Sequence, residues 1–308
     1  MLNFLYNRFM LIDTHGHVNF NAFKDDSKQV LKRALDNNTW VIMPGTQFST
    51  SKRAVEMAQN YEQGVYAAIG LHPIHLEERE VDVLEVQSEQ VKREPWMVFG
   101  TRGEEFDYEK YKTLGQNKKV VAIGECGLDY YYEPKGKEKR KAFRMRQRTT
   151  LGLQIKLAQE LNLPIILHCR KAHNDLIEIV NSKFEARNPK LRGVVHCYTG
   201  TLAQAEKFYE MGFYFGFNGL IFKKVPALPN PQEVIANIPL ERILLETDSP
   251  YLARRSPDEK RDEGGSNNER NEPLFVTYVA QEIARIKKIT VEKVAAATTE
   301  NAKQLFGI

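Results

Sequence analysis

Short apolar runs recur along the chain at intervals too long for hairpins. They are FMLIDTH (9–15), WVIMPG (40–45), VYAAIG (65–70), VVAIGE (120–125), PIILHC (164–169), GVVHCY (193–198), FYFGFNG (213–219) and ILLETD (243–248). Most are near-continuous rather than alternating, as strands buried on both faces are. Between them lie stretches with helical spacing, among them 25–37, 49–60, 146–162 and 201–212, and two more helices are predicted at 273–287 and 290–305. Buried strands alternating with helices imply βαβ units and a parallel sheet. Eight such units fit a closed (β/α)8 TIM barrel; a doubly wound open sheet is the competing arrangement.

Two stretches break the rhythm. Residues 76–119 exceed one helix and a turn, contain Pro95, Gly100, Gly103 and Gly115, and carry more acidic than basic side chains. They read as an insertion or lid. Residues 253–271 are polar and rich in Gly, Ser and Asn, which predicts a loop. No repeat or low-complexity segment divides the 308 residues, so 1–308 reads as one barrel domain.

Composition adds boundaries. Hydrophobic residues at 42% and charged residues at 27% suit a globular chain with a large core. A net charge of +4 gives no overall pull on a polyanion, so any such pull must be local. Cys126, Cys169 and Cys197 are an odd count in a long chain, which argues against a disulfide framework and fits a reducing, cytosolic setting. No apolar run approaches the roughly 20 residues that span a bilayer. The N-terminal MLNFLYNRFMLID has one positive charge, Arg8, and no small-residue cleavage site, so it reads as a first strand rather than a signal peptide.

The chemistry sits at strand ends, where barrels of this kind build active sites. His15 and His17, two apart, can face one ion from a single strand end. Glu125 ends a buried run, where an unpaired carboxylate is costly, and its two oxygens can bridge two cations. His168 and His196 are the first polar residues after consecutive strands and could share an ion. Asp248 closes the last strand; it could bind a metal and accept a proton, or cap the following segment. Glu246 points the same way and could support a ligand. Taken singly, each residue also has an ordinary reading: a salt-bridged glutamate or a core histidine satisfied by the backbone. Together, four imidazoles and two carboxylates suit zinc, manganese, iron or magnesium, ions that acidify water and polarise phosphoryl or carbonyl oxygens. Hydrolysis is the expected chemistry, with the cysteines as small packing residues. His72 ends the third strand and could contact substrate or leaving group. His75 reads as a loop residue, and His173 as helical.

The segment 135–148, KGKEKRKAFRMRQR, sets eight cations, Lys139, Arg140 and Arg144 among them, against Glu138. It follows Tyr130, Tyr131 and Tyr132 in the loop after the fourth strand. Clustered cations bind phosphates and tyrosines stack on unpaired bases; a solvated helix face is the plain alternative.

The chain resembles the TatD family of deoxyribonucleases, within the amidohydrolase-type barrels. The matching stretches are IDTHGH (12–17), GLHP (70–73), AIGECGLDYYY (122–132), LNLPIILHCRKA (161–172), HCYTG (196–200), GFYFGFNG (212–219), LLETDSPYL (244–252), RNEP (270–273) and TTENAKQLF (298–306). The resemblance implies a two-metal phosphodiesterase acting on DNA, often as a magnesium-dependent exonuclease, with manganese or zinc as alternatives. It implies that His15, His17 and Asp248 hold one metal, His168 and His196 the other, and Glu125 bridges them where related barrels use a carboxylated lysine. Asp248 would be the base, His72 would line the substrate groove, and residues flanking His173 would do so weakly. The stretch 76–119 is longer than the family usually has, Gly16 replaces a more usual cysteine, and Asn218 a more usual serine. The expectation is a monomer that cleaves single-stranded or frayed DNA away from membranes. Hydrolysis of a carboxylic ester, lactone or amide on the same barrel is one alternative, and a non-catalytic DNA-binding protein is another.

Overall fold

Parallel pairing dominates the computed structural model, which describes residues 9–82, 98–184, 191–223, 225–252 and 270–308. Residues 253–269 of the expected loop at 253–271, and the first eight residues, lie outside these. In chain order come β1 (Leu11–Asp13), α1 (Ser27–Asp36), β2 (Thr39–Pro44), α2 (Phe48–Ala58), β3 (Val65–Ile69), β4 (Glu78–Asp82), β5 (Val98–Arg102) and α3 (Tyr108–Gly115). Next come β6 (Val120–Asp129), α4 (Lys137–Glu160), β7 (Ile165–Arg170), α5 (His173–Phe184), β8 (Gly193–Val195) and α6 (Leu202–Glu210). The chain continues through β9 (Tyr214–Phe217), α7 (Pro231–Asn237), β10 (Ile243–Leu245), α8 (Val276–Lys287) and α9 (Val291–Phe306).

The eight apolar runs are the eight strands of one sheet, in the order β1-β2-β3-β6-β7-β8-β9-β10. Its ends meet just beyond β1 and β10. The Thr14 N–H donates to Leu245 O at 3.0 Å, the Asp248 N–H to His15 O at 2.8 Å, and the His17 N–H to Ser249 O at 2.7 Å. The ring is therefore a (β/α)8 barrel, and the open doubly wound arrangement is set aside.

Side-chain alternation explains the two cores. Ile12, Ile42, Ala68, Ala122, Ile166, Val194, Tyr214 and Leu244, one from each barrel strand, form a cluster joined by Ala302, Leu305 and Phe306 of α9. That cluster is the barrel lumen, and α9 closes its floor. The alternate residues, such as Val41, Met43, Ala67 and Phe215, belong to a larger layer shared with the helices. Local signals fit these elements. Thr201 and Gln204 form a capping box on α6, and Gly307 ends α9 at φ 70. No described helix is long and apolar enough to cross a membrane.

Residues 76–119 divide in two. β4 and β5 pair as an antiparallel hairpin outside the barrel. α3 is a barrel helix: Tyr111 is fully buried and its hydroxyl donates to Gly70 O at 3.1 Å. α4 begins at Lys137 and takes in most of the basic segment, so the helix-face alternative holds for it rather than the loop.

Candidate metal centre

All six sequence-predicted ligands gather at the C-terminal mouth of the barrel, with Glu125 at the middle. Its position is a feature the sequence does not announce. β6 does not end at Glu125 but runs on to Asp129, and its register against β7 slips between Ile123 and Cys126, where three steps on β6 face two on β7. The extra residue is a bulge, a device that re-aims a side chain. The Glu125 N–H is tied to Gly45 O at 2.9 Å.

The carboxylate has two differently populated sides. Oε2 stands 3.3 Å from His15 Nε2 and 3.6 Å from His17 Nε2. Oε1 stands 3.0 Å from His168 Nδ1, 3.4 Å from His72 Nε2 and 3.6 Å from His196 Nε2. Asp248 Oδ1 joins the first side, 3.5 Å from His17 Nε2 and 4.0 Å from His15 Nε2. Among the described residues three groups have donor atoms within 4.8 Å of one another: His15, His17, Glu125; His15, His196, Asp248; and His72, Glu125, His168.

Hydrogen bonds at the far ring nitrogens decide which imidazoles can serve as ligands. His17 Nδ1 lies 3.1 Å from Pro44 O, which can only accept. That nitrogen carries the proton, so neutral His17 presents a lone pair at Nε2 toward carboxylate oxygens that have nothing to donate. His196 Nδ1 likewise faces Glu246 Oε2 at 3.0 Å, leaving its Nε2 directed at Glu125. Lone pairs and carboxylates converging on one space favour positive charge among them, a role that a divalent cation can fill. His72 is wired the other way. Its Nδ1 accepts the Ile74 N–H at 3.0 Å, so Nε2 is a donor pointed at Glu125 and is not a ligand atom.

Charge follows the same pattern. Burial works against the Glu125 anion, yet His72, His15 and His196 overrule it and hold the carboxyl well below its usual range. Burial opposes the His168 cation, but hydrogen bonds to Asp129 and Glu125 outweigh it and raise the ring to about 9. Burial is likewise outweighed at His196, where Glu246 and then Glu125 lift it to about 10. His15 is pushed down to about 4 by burial, with His196 adding to the effect. Without a metal, protons therefore fill part of the positive role.

Two buried acids belong to this site that the sequence reading passed over. Asp129 Oδ2 is 3.3 Å from His168 Nε2. Four residues after Glu125 on one strand, it shares that residue's side only once the strand is known to continue. Asp13 accepts the Thr247 hydroxyl at 2.6 Å and N–H at 2.9 Å, stitching the ligand loops of β1 and β10 together. Glu246, anticipated as a support, packs over Gly216, where a Cβ would meet Oε1 at 1.9 Å.

The remaining candidates fall outside the cluster. His75 is buried in a short 3-10 turn, 73–76, rather than in an exposed loop. His173 starts α5 with Nε2 buried and without a hydrogen-bond partner. The thiols of Cys126, Cys169 and Cys197 are pushed up by burial, as befits packing residues. On α4, Lys139 is exposed, whereas Arg144 donates to Glu133 at 2.5 and 3.1 Å and Arg140 approaches the same carboxylate at 3.6 Å.

Comparison with known proteins places this geometry among relatives. Residues 12–307 match the family model described as TatD related DNase. The chain is 37% identical over 301 residues to the uncharacterized metal-dependent hydrolase YabD of Bacillus subtilis, covering 97% of this chain and 100% of that one. It is 29% identical over 300 residues to the 3'-5' ssDNA/RNA exonuclease TatD of Pantoea ananatis, again covering 97% and 100%. The crystal structure of YjjV, a TatD homologue from Escherichia coli, superimposes with a TM-score of 0.74 at 30% identity, covering 97% of this chain and 98% of that one.

Proposed function

The chain belongs to the TatD-related DNase family and is a metal-dependent hydrolase, and from this we propose that it cleaves phosphodiester bonds of DNA, as an exonuclease on single strands with a two-metal centre. The observation that carries the reading is the divided Glu125 carboxylate, with His15 and His17 on Oε2 and His168 and His196 on Oε1. His15, His17, Asp248 and Glu125 would hold one ion; His168, His196 and Glu125 would hold the second, with magnesium first among the candidates and manganese or zinc as alternatives. Bound divalent ions acidify water and neutralise charge growing on phosphoryl oxygens.

The residues supply the rest. Asp248 is the base. Its side chain is 16% exposed against 5% for Glu125, so it faces the mouth where water enters. Burial disfavours its anion, but the surrounding imidazoles, His17 first and then His196 and His15, outweigh it and hold the carboxyl below its usual range, so it is ionised and able to take a proton. His72 Nε2–H is a fixed donor, suited to a substrate or leaving-group oxygen beside Glu125. Lys139, Arg140 and Arg144, on the first turns of the helix that follows β6, would draw in a polyanion. The names of relatives that act on ssDNA and RNA support a nucleic-acid substrate.

The test is digestion of end-labelled single-stranded DNA and RNA, beside a panel of lactones, with magnesium, manganese or zinc restored to chelated protein. Stepwise shortening of DNA from one end is expected, and none under chelator. Lactone turnover without nucleic-acid cleavage overturns the reading.

A further inference from the structure

The same end of the barrel carries a cleft of ≈ 340 Å³ between α4, α5 and α6, lined among others by Tyr130, Arg144, Lys171, His173, Asn174 and Gln204. It starts where β7 ends. Lys171 follows His168 by three residues, so their Cα atoms are at most about 11 Å apart.

Most polar groups of the cleft are already matched to one another. Asp175, on its wall, accepts from the Tyr130 hydroxyl at 2.8 Å and from Arg148 at 3.2 Å. Asn174 Oδ1 accepts from Gln204 Nε2 at 2.8 Å. Arg144 is answered by Glu133. The mouth differs. Lys171 is exposed, with its ammonium 4.7 Å from the Tyr131 ring centroid. The Arg170 guanidinium lies 3.5 Å from the centroid of the same ring. Among the described residues neither cation is in close ion-pair contact with a carboxylate, and Arg170 acts on Asp129 only through space. Stacking holds a guanidinium in place while leaving its in-plane N–H donors available, a geometry that suits phosphate oxygens. Inside, His173 is 9% exposed and its Nε2 has no hydrogen-bond partner.

A positive, aromatic mouth over a polar cleft of this volume matches one nucleotide better than a duplex, because concave pockets take unpaired bases and sugars. We infer that this cleft is a second nucleotide subsite, which takes the nucleotide beside the scissile one, with its phosphate at Lys171 and Arg170. The inference rests on the phosphodiesterase reading above. It gives the strand a direction across the mouth, from the ions toward α5.

The experiment is fluorescence anisotropy with a labelled thymidine tetranucleotide on metal-free protein, so that binding is read without cleavage. Lys171 sits at φ 56, which asparagine tolerates, so Lys171→Asn removes the charge without backbone strain. The expected result is a Kd raised about tenfold and a salt slope reduced by about one for Lys171→Asn, and the same for Arg170→Gln. Lys171→Arg should restore binding, and Lys303→Asn on α9, at the barrel floor, should leave it alone. Equal Kd for wild type and Lys171→Asn, or no wild-type binding, overturns the subsite. Turnover of bis(4-nitrophenyl) phosphate, which has no second nucleotide, is measured in parallel. If wild type hydrolyses it with none of the three metals, the phosphodiesterase reading falls, while the binding comparison still decides the subsite.

Discussion

Glu246 holds His196 from behind: one carboxylate oxygen, Oε2, stands 3.0 Å from His196 Nδ1 and accepts the Cys197 N–H at 3.0 Å. The contact fixes which ring nitrogen faces Glu125. Glu246→Gln keeps the shape and can present an N–H to Nδ1, which turns the preferred tautomer around. Metal affinity should fall roughly 10- to 100-fold, as for other residues that orient a ligand. Titration calorimetry of the metal checks this, and unchanged affinity would remove Glu246 from the centre.

His72 is expected to separate catalysis from metal binding. In His72→Gln the bound metal content stays at the wild-type value, because the native Nε2 is a donor. The rate constant kcat should drop about 10²- to 10⁴-fold if the ring assists proton transfer. Elemental analysis alongside kinetics reads both, and loss of metal would make His72 a ligand after all.

Protons and metal compete at the imidazoles raised by carboxylates. His168, near 9, and His196, near 10, must each lose a proton to bind an ion. Chelator competition between pH 7 and 10 should show affinity climbing with pH, by up to about a hundredfold per unit while both are protonated, then levelling. A raised folded-state pKa also stabilises the metal-free fold below the unfolded value of 6.5 and loses that contribution as pH rises through 9 to 10. Metal-free protein should therefore melt lower at pH 10 from these two groups, with metal reversing the loss.

Acid acts through other histidines. Burial, then His72, pushes His75 down to about 3, and burial, then His168, pushes His173 down to about 4. Depressed folded-state values give stability that is whole above 6.5 and lost as pH falls toward 4 and 3. The most they are worth is on the order of 5 kcal/mol for His75 and 3 kcal/mol for His173. Urea unfolding from pH 7 to 4 should show a smaller decline in His75→Gln than in wild type; parallel curves would contradict this.

The barrel was legible because strands buried on both faces announce themselves as unbroken apolar runs, and the cluster of candidate ligands because its members sit at or just past the ends of such runs. The misses have physical causes. The first turns of α4, from Lys137, bury little besides Phe143 and Gln147, so they carry no helical stripe to read. β4, EREVD, is a charged strand of a hairpin outside the barrel sheet, so its sequence carries no apolar alternation to read. Asp129 was hidden because the bulge at Glu125 lies inside β6 rather than at its end.

The floor of the barrel bears on how the chain acquires its activity during synthesis. Asp13 and Thr247 bond across 234 positions, and Ile12 shares the lumen with Leu305 and Phe306. A nascent chain that has emerged as far as Asp248 already owns every proposed metal ligand, yet its lumen lacks the residues of α9. Contacts this distant in sequence close late and slowly. Competence should arrive abruptly once α9 has emerged, and a ribosome stalled before that point would hold the candidate ligands without a working centre.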